Sequence, residues 1–144
     1  MKRFMAIDKL FVDTGAFIAV TDKSDQYHAR AVACFHELLK FRQPLLTTNF
    51  VLDETYTRLK RKLGSHASIT FGDQIKKSDQ LQIITVNEDI EKRAWLIFKK
   101  YQDQPFSYTD CTSFAVMETH KLKTAFAFDA HFEIFGFNIA PPMT

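Results

Sequence analysis

Short apolar runs alternate along this chain with longer stretches whose apolar residues recur at helical spacing. Leu10-Phe11-Val12 is the first run, stopped by Asp13-Thr14-Gly15, a turn or helix-start signal. From Tyr27 to Phe41 the apolar positions Ala31, Cys34, Phe35, Leu38 and Leu39 predict a helix, which Pro44 ends. Leu45-Leu46-Thr47 predicts a buried strand, and Thr48 and Asn49 are caps for a helix with Leu52, Tyr56, Leu59 and Leu63 on one stripe and Gly64 as its stop. His66 to Ser78 predicts another helix, with Ile69 and Ile75 inward. Leu81 to Val86 is the clearest strand, β-branched and bounded by Asp79 and Asn87. Asn87 caps a helix to about Tyr101 that carries Ala94, Trp95, Ile97 and Phe98. A loop with Pro105 leads through Ser107 into a helix ending near His120. Thr124 to Phe128 predicts a strand ended by Asp129, followed by a helical turn through Phe132 and Phe135 and a last strand from Phe137 to Ile139. Pro141-Pro142 prevents further pairing.

Apolar strands alternating with helices are the signature of βαβ units and a mostly parallel sheet covered on both faces. With 144 residues and no repeat, linker or composition break, the expectation is one α/β domain spanning 1–144. A hydrophobic fraction of 46% with 14% aromatic residues excludes a disordered or low-complexity chain. Cys34 and Cys111 form no Cys-x-x-Cys pair, which fits a reducing compartment and offers no zinc knuckle. The start, Met1-Lys2-Arg3-Phe4-Met5-Ala6-Ile7-Asp8, has an apolar run too short for a secretory leader or a membrane helix. A cytoplasmic protein with no membrane partner is expected.

Chemistry concentrates at the strand ends, where open parallel sheets bind their ligands. Val12 leads into Asp13 and Phe128 into Asp129; each aspartate also has an account as a helix N-cap. Ser107-x-x-Asp110 has the form of a capping box. Glu54 stands four residues before Arg58, so an i,i+4 ion pair explains it, yet it lies about 200° round the helix from Leu52 and is free to face a site. All four acids fall at a strand end or in the first turns of a helix. Brought together they repel one another unless a cation sits among them. Hard oxygen donors suit Mg²⁺ or Mn²⁺, and such an ion lowers the pKa of a bound water that attacks a phosphate.

Four stretches then resemble a known family in its order. Leu10-Phe11-Val12-Asp13-Thr14-Gly15-Ala16 resembles the opening of PIN domains, and Val51-Leu52-Asp53-Glu54-Thr55 their second motif. Phe106 to Phe114, around Asp110, is similar to the third, and Ala127-Phe128-Asp129-Ala130-His131-Phe132 to the fourth. The resemblance implies a three-layer α/β/α PIN-like fold with a central, mostly parallel sheet, and an acidic cluster that uses Mg²⁺ or Mn²⁺ to cut single-stranded or structured RNA. Carried over motif by motif, Asp13, Glu54, Asp110 and Asp129 are the catalytic, metal-holding acids. Thr14 matches the hydroxyl residue that orients the first acid, with Thr109 and Ser113 as further supporting hydroxyls. The chain's length is like that of VapC-type toxins of toxin–antitoxin pairs, which implies a homodimer and a cognate antitoxin. One position departs from the pattern: His131 stands where many members carry another aspartate, which puts a second metal in question.

Arg58, Lys60, Arg61 and Lys62 form the densest basic run, read either as a solvated helix face or as the means of capturing RNA phosphates beside Glu54. The other histidines, His28, His36, His66 and His120, show no ligand spacing. Phe17 and Phe35 are candidates for a dimer or antitoxin face. Competing enzymes lack their motifs. Gly15 stands where a dehalogenase-like phosphatase needs its second Asp, and there is no Gly-rich phosphate loop and no Gly-x-Ser-x-Gly elbow. The alternatives that stay open are a catalytically silent PIN-like RNA- or partner-binding module, and an RNA-processing nuclease without an antitoxin. The formal charge of +2 changes meaning in this light: with four acids drawn into a site, 19 basic residues face 13 acidic ones elsewhere.

Overall fold

The structure is a computed structural model that describes residues 8–142; the opening segment considered above as a leader lies outside the described residues. Five strands form one sheet: β1 (Leu10–Val12), β2 (Leu45–Thr48), β3 (Leu81–Ile84), β4 (Thr124–Phe126) and β5 (Asn138–Ala140). Their order is β3-β2-β1-β4-β5, and every pairing is parallel. The helices are α1 (Thr14–Thr21), α2 (His28–Lys40), α3 (Asn49–Leu63), α4 (Ser65–Lys77), α5 (Glu88–Lys100), α6 (Tyr108–Thr119) and α7 (His131–Phe135). Among the described residues no helix is long and apolar enough to cross a membrane.

Successive strand residues point to opposite faces, and β1 shows how the layers form. Val12, with Leu45, Leu81 and Phe126, borders an apolar cavity of about 320 Å³ closed by Phe17, Phe35, Phe71 and Ile75 from α1, α2 and α4. Phe11 points the other way and meets Phe132 of α7, whose ring stands edge-on to Phe114 of α6 at 5.2 Å. This is the expected α/β/α arrangement. Behind α6 and α7, Phe106, Phe114, Phe135 and Phe137 form a continuous aromatic cluster, with Phe114 and Phe135 stacked at 4.4 Å.

The strand order places the site. The chain leaves β1 to one side for β2 and later returns on the other side as β4, so β1 and β4 flank the switch point where a crevice opens beyond the carboxyl ends. Gly64, at φ 96°, separates α3 from α4 in a conformation that side chains rarely adopt.

Several expectations need correction. The segment after Gly15 is a full helix, α1, whose buried Thr14, Ala16, Phe17, Ile18 and Ala19 cover so much of its circumference that no amphipathic period shows. Ile69, expected inward, is 62% exposed, because α4 turns Ser68, Phe71 and Gly72 to the core. Leu63, placed on the buried stripe of α3, is exposed in its last turn. Phe17 is core, edge-on to Phe71 at 5.3 Å, rather than part of an outer face. β4 ends at Phe126, not Phe128, and the chain runs on to Asp129 with Ala127 N–H donating to the Ala140 carbonyl at 3.2 Å.

Candidate active site

Asp13, Glu54, Asp110 and Asp129 line one cleft of about 520 Å³ at the carboxyl edge of the sheet. Each reaches it by a different local device. Asp13 follows β1 and caps α1 with its backbone, its carbonyl accepting from Ala16 and Phe17 N–H at 3.1 and 3.2 Å. Its side chain makes no cap hydrogen bond, so the capping account does not explain the carboxylate. That group is 5% exposed, and burial holds its pKa well above the usual carboxylate range. Asp129, Asp110 and Glu54 push it further up, and the Thr14 backbone N–H partly offsets them. Through-space repulsion from the other three acids is the electrostatic signature of their convergence.

Glu54 rides on α3, which Thr48 starts by accepting from Val51 N–H at 3.1 Å. The second capping candidate, Asn49, instead accepts from Val86 N–H at 2.7 Å and ties α3 to the exit of β3. The Glu54–Arg58 ion pair that the spacing predicts does not form; both side chains line the cleft. Asp110 does form the capping box: Ser107 Oγ accepts from Asp110 N–H at 2.9 Å, and Asp110 Oδ2 accepts from Ser107 N–H at 3.0 Å. The same Oδ2 lies 2.8 Å from His131 Nδ1. Burial raises the Asp110 pKa, against the Ser107 bond and His131, which favour the charged form. Asp129 Oδ1 accepts from His131 N–H at 3.0 Å.

The supporting residues divide. Thr14 lines the cleft, but its hydroxyl donates to the Val51 carbonyl at 3.3 Å rather than to Asp13. Thr14 thus ties the start of α1 to the helix that carries Glu54, while Thr55, on α3 itself, donates to the same carbonyl at 2.7 Å within that helix. Thr109 and Ser113, expected as supporting hydroxyls, do not themselves line the cleft. The Thr109 carbonyl only accepts from Thr112, and the Ser113 hydroxyl is buried without a partner among the described residues. Of the basic run, Arg58 alone borders the cleft. Lys62, expected to meet RNA, is instead held by the buried Asp22 at 2.7 Å.

The α1–α2 turn supplies walls that the sequence did not reveal. Asp25, Gln26 and Tyr27 line the cleft, and Asp25 Oδ1 accepts from Tyr27 N–H at 2.8 Å. The Tyr27 ring stacks on Phe128 at 4.8 Å and 8°. No pattern in the sequence flags this contact, because it joins residues about a hundred positions apart.

The donor set fits a hard divalent cation: several carboxylates, one of them buried and raised in pKa by its neighbours, converge with no fixed positive charge able to neutralise them all. Among the described residues no three His, Cys, Asp or Glu side chains already stand as a ready-made cage.

The comparisons with known proteins agree with this architecture. VapC20 of Mycobacterium tuberculosis (strain ATCC 25618 / H37Rv), named a 23S rRNA-specific endonuclease, is 33% identical over 129 residues, which cover 89% of this chain and 95% of the relative. A VapC ribonuclease of Archaeoglobus fulgidus is 33% identical over 126 residues, covering 85% of this chain and 78% of the relative. The crystal structure of Mycobacterium tuberculosis VapC20, described as a sarcin-ricin loop cleaving toxin, matches with a TM-score of 0.80 at 32% identity over 89% of this chain and 95% of that one. VapBC2 from Rickettsia felis, bound to a promoter DNA fragment, matches at a TM-score of 0.69 over 91% of this chain and 96% of that one. At 10% identity that likeness is one of fold alone. A family model for the PIN domain covers residues 10–138, from the first residue of β1 to the first of β5. With that span and these relatives, the chain belongs to the PIN-domain family.

Proposed function

We propose that this protein is a metal-dependent endoribonuclease, a single PIN unit acting as the toxin of a toxin–antitoxin pair in the cytoplasm, as a homodimer held in check by a cognate antitoxin. The observation that carries the reading is the Asp13 carboxylate. It lines the cleft, makes no capping bond, and is raised in pKa by burial first and then by three other acids. A structural aspartate in that position would be neutralised by a partner or replaced by a neutral cap. Arg58 on the rim is a fixed positive charge for an entering phosphate. The named activities of the relatives from Mycobacterium tuberculosis and Archaeoglobus fulgidus point to RNA as substrate, and the first of them makes 23S rRNA the first RNA to test.

Mg²⁺ or Mn²⁺ bound there would activate water and steady the charge that develops on the phosphate. Asp13, Asp110, Asp129 and Glu54 would hold the ion, some of them through water. Ser107 fixes the Asp110 carboxylate by the capping box, and Thr14 ties α1 to α3 at the Val51 carbonyl, so that Glu54 keeps its place relative to Asp13. Arg58 binds and orients the RNA phosphate.

The test is a cleavage assay on ribosomal RNA with purified wild type and Asp13→Asn, each with Mn²⁺ and with EDTA. Cleavage by the wild type in Mn²⁺ alone is expected. Asp13→Asn should lose at least about 10²-fold in rate, the scale on which removing one electrostatic group from a reaction site acts. Equal cleavage in EDTA, or by Asp13→Asn, overturns the reading, and a wild type that binds RNA without cutting it makes the protein a silent PIN-like module.

A further inference from the structure

Between two of the four acids stands an imidazole ring. The His131 ring lies between Asp110 and Asp129, with Nδ1 2.8 Å from Asp110 Oδ2 and 3.7 Å from Asp129 Oδ2. Its backbone N–H is bound to Asp129 Oδ1 at 3.0 Å, and its ring is edge-on to Phe106 at 5.6 Å and 70°. His131 is thus fixed from the main chain, from the side-chain nitrogen and from the ring.

An ionised carboxylate only accepts, so Nδ1 carries the hydrogen in this contact. Each carboxylate oxygen offers about two lone-pair sites. Asp110 Oδ2 has both filled, by Ser107 N–H and His131 Nδ1–H. Only Oδ1 of Asp110 is left for another partner among the described residues. Asp129 spends one site of Oδ1 on the His131 N–H and keeps Oδ2. A cation bridging Asp110 Oδ2 and Asp129 Oδ2 would have to sit where the imidazole sits, facing an N–H hydrogen rather than a lone pair.

We propose that His131 is a positioning residue that takes the place of a second cation, so that the cleft binds a single divalent ion shared by Asp13 and the remaining oxygens of Asp110 and Asp129. The inference rests on the metal-dependent reading above and deepens it by fixing the ion count. The Nδ1–H of His131 supplies between Asp110 and Asp129 the attraction that a second ion would supply, and it aims Asp110 Oδ1 by holding Oδ2. Because Asp110 is restricted to one oxygen, it serves the ion from one side only.

The experiment counts ions rather than turnover. Isothermal titration of Mn²⁺ into the metal-free full chain, with electron paramagnetic resonance of the free Mn²⁺ as an independent count, gives the number bound. One ion per chain is expected for the wild type. His131→Asp, which replaces the donor with a ligand, is expected to bind two. Should that variant fold poorly, His131→Ala frees the same oxygens without adding a charge, and a second, weaker site is expected there. His131→Asn keeps an N–H donor and is expected to remain at one. Two ions bound by the wild type, or no gain in either His131→Asp or His131→Ala, overturns the inference while leaving the nuclease reading intact. No Mn²⁺ bound by the wild type would remove both.

Discussion

Lys62 and Asp22 give the most quantitative prediction, because the structure pairs a nearly enclosed carboxylate with a half-exposed ammonium. Asp22, at the end of α1, is 2% exposed. Its Oδ2 lies 2.7 Å from Lys62 Nζ in the last turn of α3, and its Oδ1 accepts from the Ser24 N–H and hydroxyl at 2.9 and 2.7 Å. The Lys62 contact first, then the two Ser24 bonds, pull the Asp22 pKa from 3.8 down to about 2. At 1.36 kcal/mol per unit, that shift corresponds to about 2 kcal/mol of stability at neutral pH. Lys62 is 54% exposed and its share is screened by water, so Lys62→Met should lose about 1 kcal/mol rather than the whole. A depressed folded pKa stabilises above the unfolded value and is lost as pH falls through the folded one. The stability gap between wild type and Lys62→Met should therefore be full at pH 7, remain mostly intact at pH 3 and fall to roughly a third of its size near pH 2. Urea unfolding followed by circular dichroism at those pH values measures it. A Lys62→Met protein as stable as wild type at pH 7, or a gap undiminished at pH 2, would refute the reasoning.

The same pair separates the members of the basic run in RNA binding. On the Asp13→Asn background, Arg58→Ala should lower the salt slope of RNA affinity by about 0.7, the value of one single-strand phosphate contact, and Lys62→Met should leave it unchanged; equal slopes for both variants would remove Arg58 from the phosphate path. Asp13→Asn should also be more stable than wild type in EDTA at pH 7. A raised folded pKa makes the charged form costly once pH climbs past the unfolded value, so the advantage should fade below about pH 4, and thermal melts across that range check it. Cys34 and Cys111 are buried, with thiols pushed up to about 12 and about 11, so neither should react with maleimide at pH 7 unless the protein is unfolded. Phe114→Ala, which removes the ring stacked on Phe135 behind α6, should lose about 3–5 kcal/mol in urea unfolding.

What the sequence disclosed depended on whether the signal was local. β1, β2 and β3 are short apolar runs cut off by turn residues, and α2 and α5 are amphipathic, so both types of element declared themselves. α1 did not, since a helix buried on most sides carries no period to detect. The acids were legible because each follows a strand or opens a helix, and the topology of a parallel sheet gathers those places at one edge. Their supports were not. Thr14 has the expected residue type, but its hydrogen bond goes to Val51, and nothing local distinguishes that from a bond to Asp13. Lys62 looks like its basic neighbours until Asp22, forty positions earlier, is brought beside it. The contact of His131 with Asp110 spans 21 positions and depends on how α7 packs against α6, a tertiary fact with no trace in spacing.

These supports explain why so exposed a cleft can keep charged groups in fixed places. A carboxylate left to itself on a surface samples several rotamers, and four of them near one another drift apart under repulsion. Here the drift is opposed from outside the cleft. Ser107 and His131 take one oxygen of Asp110, the His131 backbone takes one oxygen of Asp129, and the Thr14 hydroxyl at the Val51 carbonyl anchors the helix that bears Glu54. Asp13 keeps only the Thr14 backbone N–H at its carboxylate and otherwise relies on burial. The acid most deeply buried is therefore the one whose charge most needs a cation. In EDTA, loss of the ion should be felt first at Asp13 and the start of α1, and hydrogen exchange should show the amides of α1 gaining protection on addition of Mn²⁺ while those of α6 stay unchanged.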